Sequence, residues 1–414
     1  MEAIIRNVEE MITPQHKMIT ALVEKNQKKV LQAFRQLKIS DSHFNPTTGY
    51  GYDDYGRDGL EELYAQIFKA EDAIVRSQLI SGTHAITTAL FGVLRPGDEL
   101  LYITGEPYDT LEEVIGKKGG KDTGSLQDFG ITYQSVPLQS EGRMDRKKAA
   151  SSIHSRTKVV AIQRSKGYAD RPSFTIDEIE DMIVYIRSIK SDVVIFVDNC
   201  YGEFVEDKEP IEAGADLIAG SLIKNPGGGL ARVGGYIAGR KDLIEQCSYR
   251  LTAPGLGKET GPSLNTLQEM YQGIFLAPHV VGEALKGAVF TAKLLAELGF
   301  TTSPEFDAKR TDLIQSVSFQ TEEQMVRFCQ SIQASSPINS HVTPYPSPMP
   351  GYESDVIMAA GTFVQGASLE LTADGPIRPP YMAFVQGGLT YAHVKIAVTE
   401  AVKKVFLEQE NTTN

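Results

Sequence analysis

The sequence predicts an α/β fold in which helices cover both faces of a mostly parallel sheet. Short runs of apolar and β-branched residues alternate with helical patterns along the middle of the chain. Several of these runs, such as residues 192–198, contain almost no polar residue, which is typical of strands buried on both faces. The alternation and the buried runs together indicate parallel strands joined by crossover helices.

Residues 1–56 form a predicted N-terminal unit, a helical arm followed by a loop. Apolar residues from Ile19 to Leu37 recur at helical spacing among many Lys and Gln, and Pro14 predicts a break in the helix. The stretch 43–59 is rich in Gly, Tyr and Asp and has no periodicity, which predicts an ordered loop. The apolar stripe of the arm needs a partner surface.

A large domain is predicted over residues 57–275. Its clearest helix is 175–190, where Thr175 and Glu178 form a capping box ahead of an apolar face. The predicted strands are 74–80, 100–104, 158–164, 192–198, 217–223 and 234–239.

The composition changes after Tyr271, and a smaller α+β domain is predicted over residues 276–414. A helix over 282–298 leads into it, and the Pro- and Gly-rich segment 337–380 interrupts it.

Charge and cysteine content exclude several classes of protein. The chain has 414 residues, and 41 Lys and Arg stand against 53 Asp and Glu, which argues against nucleic acid or an anionic membrane as the main partner. The three cysteines have no CxxC spacing, and the seven histidines no HExxH spacing, so neither a disulfide framework nor a metal site is predicted. Without a recognisable signal or spanning segment, we expect a cytoplasmic location.

Asp198 and Lys224 are the most informative pair of residues. One predicted strand ends at Asp198, and a second is followed by Lys224, so both belong at the edge of the sheet where open α/β folds bind ligands. Lys224 stands between Ser221 and three glycines, a context that suits an amine open to a carbonyl compound and a backbone that approaches a bulky cofactor. The alternative is a strand-end aspartate and a solvated surface lysine.

Pyridoxal 5'-phosphate (PLP) is the cofactor that this pair predicts. PLP supplies a carbonyl for Lys224, and its ring nitrogen needs a carboxylate such as Asp198 to stay protonated. Ser81, Gly82 and Thr83 open a predicted helix after a strand and would bind the phosphate with their amides and hydroxyls. Their alternative role is an ordinary helix cap.

Two further residues complete the predicted cofactor site. Ser221 offers another hydroxyl on the phosphate side. Tyr108, after the strand 100–104, is placed to lay its ring on the pyridine face while its phenol reaches the reacting carbons. Its alternative role is a buried core tyrosine.

The segment VDNCYGEFVEDKEPIEAGADLIAGSLIK resembles the fold-type I PLP enzymes of cysteine and methionine metabolism, the cystathionine lyase and methionine gamma-lyase group. Within that group the chain looks like the branch called aluminium resistance proteins. The resemblance spans about residues 50–240 and implies a seven-stranded type of sheet with a smaller C-terminal domain. SGTHA stands where the family binds the phosphate. Tyr55 and Arg57 match a Y-x-R element that in the family crosses the subunit interface to the phosphate, which implies a homodimer or homotetramer with shared sites.

The sequence departs from the family at three points. Leu222 and Ile223 replace residues that usually include a phosphate-binding hydroxyl, and the Asn that contacts the phenolic oxygen of the cofactor has no clear counterpart. The arginine for the substrate carboxylate is not in a matching motif. We assign that role to Arg378 in GPIRPPY, where a surface arginine is an equally good interpretation.

These observations predict a PLP-dependent carbon–sulfur lyase acting on a small sulfur-containing amino acid. Lys224 and Tyr108 are the predicted catalytic residues. An aldolase or aminotransferase on the same scaffold is the alternative enzyme, and a PLP-binding regulatory protein without turnover is the alternative outside enzymology.

Overall fold

A computed structural model describes residues 1–349 and 352–412 of the chain. Ten helices are found in this described part, and they cover the faces of two separate sheets. The helices are α1 Glu2–Gln36, α2 Tyr55–Phe68, α3 Gly82–Val93, α4 Asp109–Ile115, α5 Arg146–Ser152, α6 Ile176–Ile189, α7 Lys241–Leu251, α8 Leu267–Glu297, α9 Glu322–Ala334 and α10 Tyr391–Thr412.

The predicted mostly parallel sheet is confirmed and has seven strands. Six of them share one direction, and β7 is antiparallel to both of its neighbours. Their spatial order is β1 Asp72–Arg76, β7 Gly235–Gly239, β6 Leu217–Ser221, β5 Val194–Asp198, β4 Thr157–Gln163, β2 Glu99–Tyr102 and β3 Thr132–Ser135.

Strand β5 illustrates why the sheet forms at the centre of the molecule. Its side chains alternate between two cores: Val194 and Phe196 pack on the α3 side, and Ile195 and Val197 pack on the α6 side. A strand buried on both faces needs apolar residues at every position, which is the pattern of this segment. The strand that the sequence analysis missed is β3, because this short edge strand is half-exposed and carries polar residues.

The second sheet is antiparallel and belongs to the C-terminal part of the chain. Helices α8 and α9 pack on its strands, and α10 packs on these two helices. Its order is β10 Val356–Ala359, β11 Thr372–Pro376, β12 Met382–Gln386, β9 Gln315–Ser318 and β8 Thr301–Ser303. The predicted domain boundary at 275/276 lies inside α8, which begins at Leu267 and not near residue 282 as expected. Residues 350, 351, 413 and 414 of the predicted domain 276–414 lie outside the described part.

The N-terminal helix differs from the predicted loose, broken arm. Helix α1 runs without interruption through Pro14, which faces solvent, so the carbonyl that loses its hydrogen bond remains hydrated. Its apolar face packs on α8 of the same chain. Val8 and Ile12 join the core of the second sheet, whereas Val30 and Ala33 join the core of the first. The stripe therefore needs no partner subunit to cover it.

The predicted loop 43–59 is also shorter than expected. Helix α2 begins at Tyr55, and the carboxylate of Asp54 caps it by accepting a hydrogen bond from the Arg57 amide at 2.9 Å. Capping by a single Asp is not recognisable inside a Gly- and Asp-rich stretch. Tyr55 and Arg57 consequently stand on the first turn of a helix.

Among the described helices, α8 has the length and hydropathy that could cross a membrane. In the folded chain, 72% of its apolar window is buried, as expected of a core helix.

The glycine run after Lys224 packs against α8. A Cβ on Gly273 would lie only 2.3 Å from the carbonyl oxygen of Gly227. A Cβ on Gly228 would lie only 2.2 Å from the carbonyl oxygen of Gly273. The expectation that these glycines let the backbone approach a cofactor is wrong, because they let the loop approach a helix.

We predict that Gly273→Ala destabilises the protein by about 1–3 kcal/mol, because two backbones would have to separate. The gain in helix propensity, about 1 kcal/mol, offsets part of this cost. Urea unfolding measures the change. Gly120→Ala is the control, since nothing lies within 4 Å of a Cβ there. Equal losses in the two variants would contradict the close packing.

Candidate active site

A cavity of about 180 Å³ opens at the carboxyl edge of the first sheet. The ends of β4, β5 and β6 meet there, and the first turn of α3 closes one side. Seven predicted residues line this cavity: Ser81, Gly82, Thr83, Tyr108, Asp198, Ser221 and Lys224.

Asp198 is the last residue of β5 and lies at the floor of the cavity. Its side chain is held by the backbone amide of Cys200, which donates to Oδ1 at 3.1 Å. Burial raises the pKa of Asp198, and Lys224 and the Cys200 amide act against that rise. A buried carboxylate at this position is suited to pair with a cationic ring nitrogen.

Lys224 follows β6, and its Nζ lies 4.0 Å from the centre of the Tyr201 ring. Tyr201 has a positive φ of 71°, a conformation that costs a non-glycine residue energy and is concentrated at functional sites. The ring of Tyr201 thus orients the amine within the cavity. The sequence gives no sign of this φ, so Tyr201 escaped the sequence analysis.

The opposite end of the cavity suits an anion. Ser81 caps α3 by accepting a hydrogen bond from the amide of His84 at 3.1 Å, which leaves earlier amides of the first turn free. The hydroxyls of Thr83 and Thr110 lie 3.2 Å apart beside this turn. A Cβ on Gly82 would lie 3.3 Å from the Ser221 side chain, so a glycine keeps this wall open.

Tyr108 belongs to a group of aromatic side chains that joins the two halves of the chain. Its phenol is hydrogen-bonded to the phenol of Tyr352, and its ring lies 6.2 Å from that of Tyr168. Burial and the nearby carboxyl group of Asp374 on β11 raise the pKa of Tyr168. Burial raises the pKa of Tyr108, so its phenol is protonated at neutral pH.

Gln163, the last residue of β4, was not assigned a role from the sequence. Its Nε2 donates to the Ser165 carbonyl at 2.9 Å, while its Oε1 is buried in the cavity wall without a partner. A buried acceptor without a partner indicates a missing donor. A donor group on a molecule bound in this cavity would satisfy this oxygen.

The donor set of this cavity therefore fits PLP. One ring-sized space is surrounded by an amine, a carboxylate, the hydroxyls at the start of a helix and an aromatic side chain. Oε1 of Gln163 is an acceptor in its wall without a partner. The described residues contain no cluster of three or more His, Cys, Asp or Glu side chains arranged for a metal ion.

A second cavity of about 360 Å³ adjoins the first and shares Tyr108 and Gln163 with it. Arg378, the predicted residue for the substrate carboxylate, lines this second cavity. Arg171 and Lys166 line it as well, and neither was assigned a role from the sequence.

Tyr55 and Arg57 do not line either cavity of their own chain. The guanidinium of Arg57 is buried and donates to the Gly51 carbonyl at 2.6 Å and to the Gly261 carbonyl at 3.2 Å. Tyr55 is 61% exposed, and its ring centre lies 4.1 Å from that of His43. Any contact of Tyr55 with a cofactor would thus have to be made outside its own subunit.

Several known proteins are similar to this chain in sequence and structure. The sequence model of the family described as methionine gamma-lyase matches residues 1–406. The crystal structure of a Listeria monocytogenes protein, named "putative cystathionine beta-lyase involved in aluminum resistance", has 62% identity and a TM-score of 0.97, over 98% of this chain and 100% of that one. That of a carbon-sulfur lyase involved in aluminum resistance from Clostridium novyi has 46% identity and a TM-score of 0.94, over 97% and 95%.

A more distant structure defines the fold. The PLP-dependent protein YhfS from Escherichia coli has a TM-score of 0.63 at 16% identity, over 93% of this chain and 96% of that one, and at this identity the likeness concerns the fold alone. The predicted fold type I of PLP enzymes is confirmed by these neighbours.

We predict that Asp374→Asn changes how stability depends on pH. Burial raises the pKa of Asp374 from 3.8 to about 7, although Nε2 of Gln386 donates a hydrogen bond to its Oδ1 at 3.0 Å. The folded state therefore holds a proton that the unfolded state releases. As pH rises from about 4 to 7, the free energy of unfolding decreases by up to about 4 kcal/mol. Because asparagine does not titrate, the variant should not show this decrease in the free energy of unfolding.

Urea unfolding of both proteins at pH 4.5 and pH 8 measures the effect, with the variant gaining relative to the parent at the higher pH. Asp307→Asn, which replaces an exposed carboxylate, is the control. Its free energy of unfolding should change with pH in the same way as that of the parent. A constant difference between the Asp374 variant and the parent would show that Asp374 keeps its charge in the folded chain.

Proposed function

This chain belongs to the methionine gamma-lyase family, and we propose that it is a PLP-dependent lyase that cleaves a carbon–sulfur bond of a sulfur-containing amino acid. The observation that supports this most is the convergence of Asp198, Lys224 and Tyr108 on one ring-sized cavity. The carbon-sulfur lyase from Clostridium novyi, at 46% identity, supports the same reaction class.

The position of each residue in the cavity indicates its role. Lys224 holds the cofactor and moves the proton of the substrate α-carbon, because its Nζ is the amine inside the cavity. Asp198 keeps the pyridine nitrogen protonated. Ser81, Gly82, Thr83 and Ser221 bind the phosphate, and the bound cofactor supplies an electron sink.

Tyr108 gives a proton to the departing sulfur. Burial raises the pKa of Tyr108, so its phenol carries the proton at neutral pH, and the hydrogen bond to Tyr352 fixes the phenol at the cavity wall. Elimination with addition of water then yields a thiol, ammonia and a keto acid. Arg378 is the candidate from the sequence for the substrate carboxylate.

The reaction itself is tested by incubating the purified protein and PLP with a panel of sulfur amino acids. The expected products are a thiol, ammonia and a keto acid in equal amounts. Glycine or a transferred amino group would favour an aldolase or aminotransferase. Cofactor absorbance without exchange of the α-proton would favour a regulatory protein.

We further propose that the enzyme is a cytoplasmic homo-oligomer with sites shared between subunits. The support is the exposure of Tyr50, Tyr52 and Tyr55 within one short segment of the chain, since exposed aromatic side chains are typical of an interface. The buried Arg57 is committed to carbonyls of its own chain, so Tyr55 carries the expected contact with the partner's phosphate.

We predict that Lys224→Ala abolishes the visible absorbance that the protein gives with PLP, because no other described amine lines the cofactor cavity. Lys166→Ala is the matched control and should keep the absorbance, since the Lys166 amine is bound to Ser316 and the Ser303 carbonyl. Borohydride reduction and peptide mapping should place the cofactor on Lys224. A cofactor found on another lysine would refute the assignment.

We also predict that mixing inactive Tyr55→Ala and Lys224→Ala chains restores activity. A mixed dimer then contains one site with both residues intact, so random exchange should return about a quarter of the activity per site. Subunit exchange is verified with differently tagged chains. Confirmed exchange without any recovery would mean that Tyr55 does not act in the partner's site.

A further inference from the structure

Glu203 is a buried acid near the candidate active site that the proposed reaction does not use. It lies in the chain between β5 and β6, and its side chain is fully buried. A Cβ on Gly220 of β6 would lie only 2.5 Å from Oε1 of Glu203. The carboxyl group therefore packs against the strand that leads to Lys224.

The two carboxyl oxygens of Glu203 differ in their partners. The hydroxyl of Tyr236 donates to Oε1 at 2.8 Å. Among the described residues, Oε2 has no hydrogen-bond partner, although it is shielded from water. An ionised carboxylate here would keep a buried oxygen that no donor reaches, which is costly. A proton on Oε2 changes this oxygen from an acceptor into a donor.

A second acceptor without a partner belongs to the residue that follows Lys224. Asn225 is fully buried, and its Nδ2 donates to the backbone carbonyl of Glu203 at 3.0 Å. This hydrogen bond fixes the orientation of the amide, because an oxygen in the place of Nδ2 would face another oxygen. Oδ1 of Asn225 is then a buried acceptor for which the described part of the chain supplies no donor. One proton on Glu203 satisfies both oxygens.

The neighbouring acid Glu209 provides a contrast. It is equally buried, but both of its oxygens accept hydrogen bonds, Oε1 from the Phe204 amide at 2.9 Å and Oε2 from the Asn199 side chain at 3.1 Å. Nη1 of the buried Arg164 lies 3.7 Å from Oε2. Glu209 is thus suited to carry the negative charge of this cluster. Glu203, which has no ion-pair partner within the described residues, is suited to carry a proton.

The charge state of Glu203 follows from its burial. Burial raises the pKa of Glu203 to about 8, and Glu209 adds to this rise, whereas the Tyr236 hydroxyl and Lys224 oppose it. The carboxyl group is therefore protonated at neutral pH and ionises as the pH rises above about 8. The titratable side chains that interact with it are those of Tyr64, Cys200, Glu209, Lys224 and Tyr236.

We infer that Glu203 is a positioning residue for Lys224, because it donates its carboxyl proton from Oε2 to Oδ1 of Asn225 and so fixes the backbone beside the lysine. This assignment rests on the proposed function, in which Lys224 holds the cofactor. Asn225 begins the short turn Asn225–Gly227, so its side chain and the backbone of Lys224 move together. An ionised Glu203 would instead face Oδ1 with a second acceptor and release this contact.

The first test measures the dissociation constant of PLP at pH 6.5 from the visible absorbance of the protein. Glu203→Ala should raise this constant about tenfold, because one buried hydrogen bond is lost and Oδ1 of Asn225 is left unsatisfied. Glu203→Gln should stay within about threefold of the parent, since its Nε2 donates to Asn225 while its oxygen accepts from Tyr236. Equal weakening in the two variants would overturn the inference, because it would indicate a role for a negative charge.

The pH profile of the same constant separates a proton donor from a packing role. Above about pH 8 the parent should lose about tenfold in affinity relative to Glu203→Gln, since glutamine does not titrate. Comparison of these two proteins at each pH removes effects common to both, such as the titration of free PLP. A ratio of the two constants that does not change with pH would contradict the inference.

A double-mutant cycle tests the contact between the two side chains. Asn225→Ala should also raise the dissociation constant of PLP, and the variant with both Glu203→Ala and Asn225→Ala should bind PLP about as well as the weaker single variant. Additive losses would show that the side chains act independently and would contradict the hydrogen bond. An unchanged unfolding midpoint establishes that each variant is folded.

Infrared difference spectra between pH 6.5 and pH 9.5 test the proton directly. The carbonyl band of a protonated carboxyl group should disappear from the parent as Glu203 ionises, and Glu203→Gln should lack this band. Asp374 also ionises near pH 7, so Asp374→Asn is the matched control and should keep the band of Glu203. A parent without this band would overturn the inference, even if Glu203→Ala fails to fold.

Failure of the proposed function gives a different result. A protein that carries PLP on Lys224 but releases no thiol would contradict carbon–sulfur cleavage, while the PLP constants would still support the role of Glu203. Thiol release with equal PLP constants in all variants would leave the proposed function intact and would overturn the role of Glu203. A protein that never binds PLP would contradict both.

Discussion

Parallel pairing of β4, β5 and β6 is the constraint on which the candidate site depends. In this register Gln163 lies opposite Asp198, and Asp198 lies opposite Ala219 near the end of β6. Parallel strands end at the same edge, so an orphaned amide oxygen, a carboxylate and the loop with Lys224 meet there. The apolar side chains that bury both faces of β5 thus also determine where the polar groups meet.

The second sheet contributes to the site through its loops and β11. Tyr352 contacts the phenol of Tyr108, and Asp374 contacts Tyr168, so the wall of the cavity depends on two parts of the chain that are more than 200 residues apart. Helices α1 and α8 hold these parts together, because α1 supplies apolar residues to both cores. Packing far from the site therefore affects the geometry of Tyr108.

Buried acids near the site lack ion-pair partners. Asp374 is buried without an ion-pair partner among the described residues, and burial raises its pKa to about 7. Burial also raises the pKa of Asp198. By contrast, the buried Glu61 pairs with Arg76 at 2.6 Å, and despite its burial its pKa is lowered by the charges of Arg76 and Lys258.

The sequence by itself determined the sheet, α6 with its capping box, and seven residues of the cofactor cavity, because these features depend on local patterns: continuous apolar runs, caps, and residues that directly follow strands. Tertiary structure decided the rest. Helix α1 passes through Pro14 because its apolar face gains more from packing on α8 than the proline costs in one solvent-exposed hydrogen bond. The unpartnered Oε1 of Gln163 and the left-handed backbone of Tyr201 arise only in the folded chain, and no residue pattern encodes them.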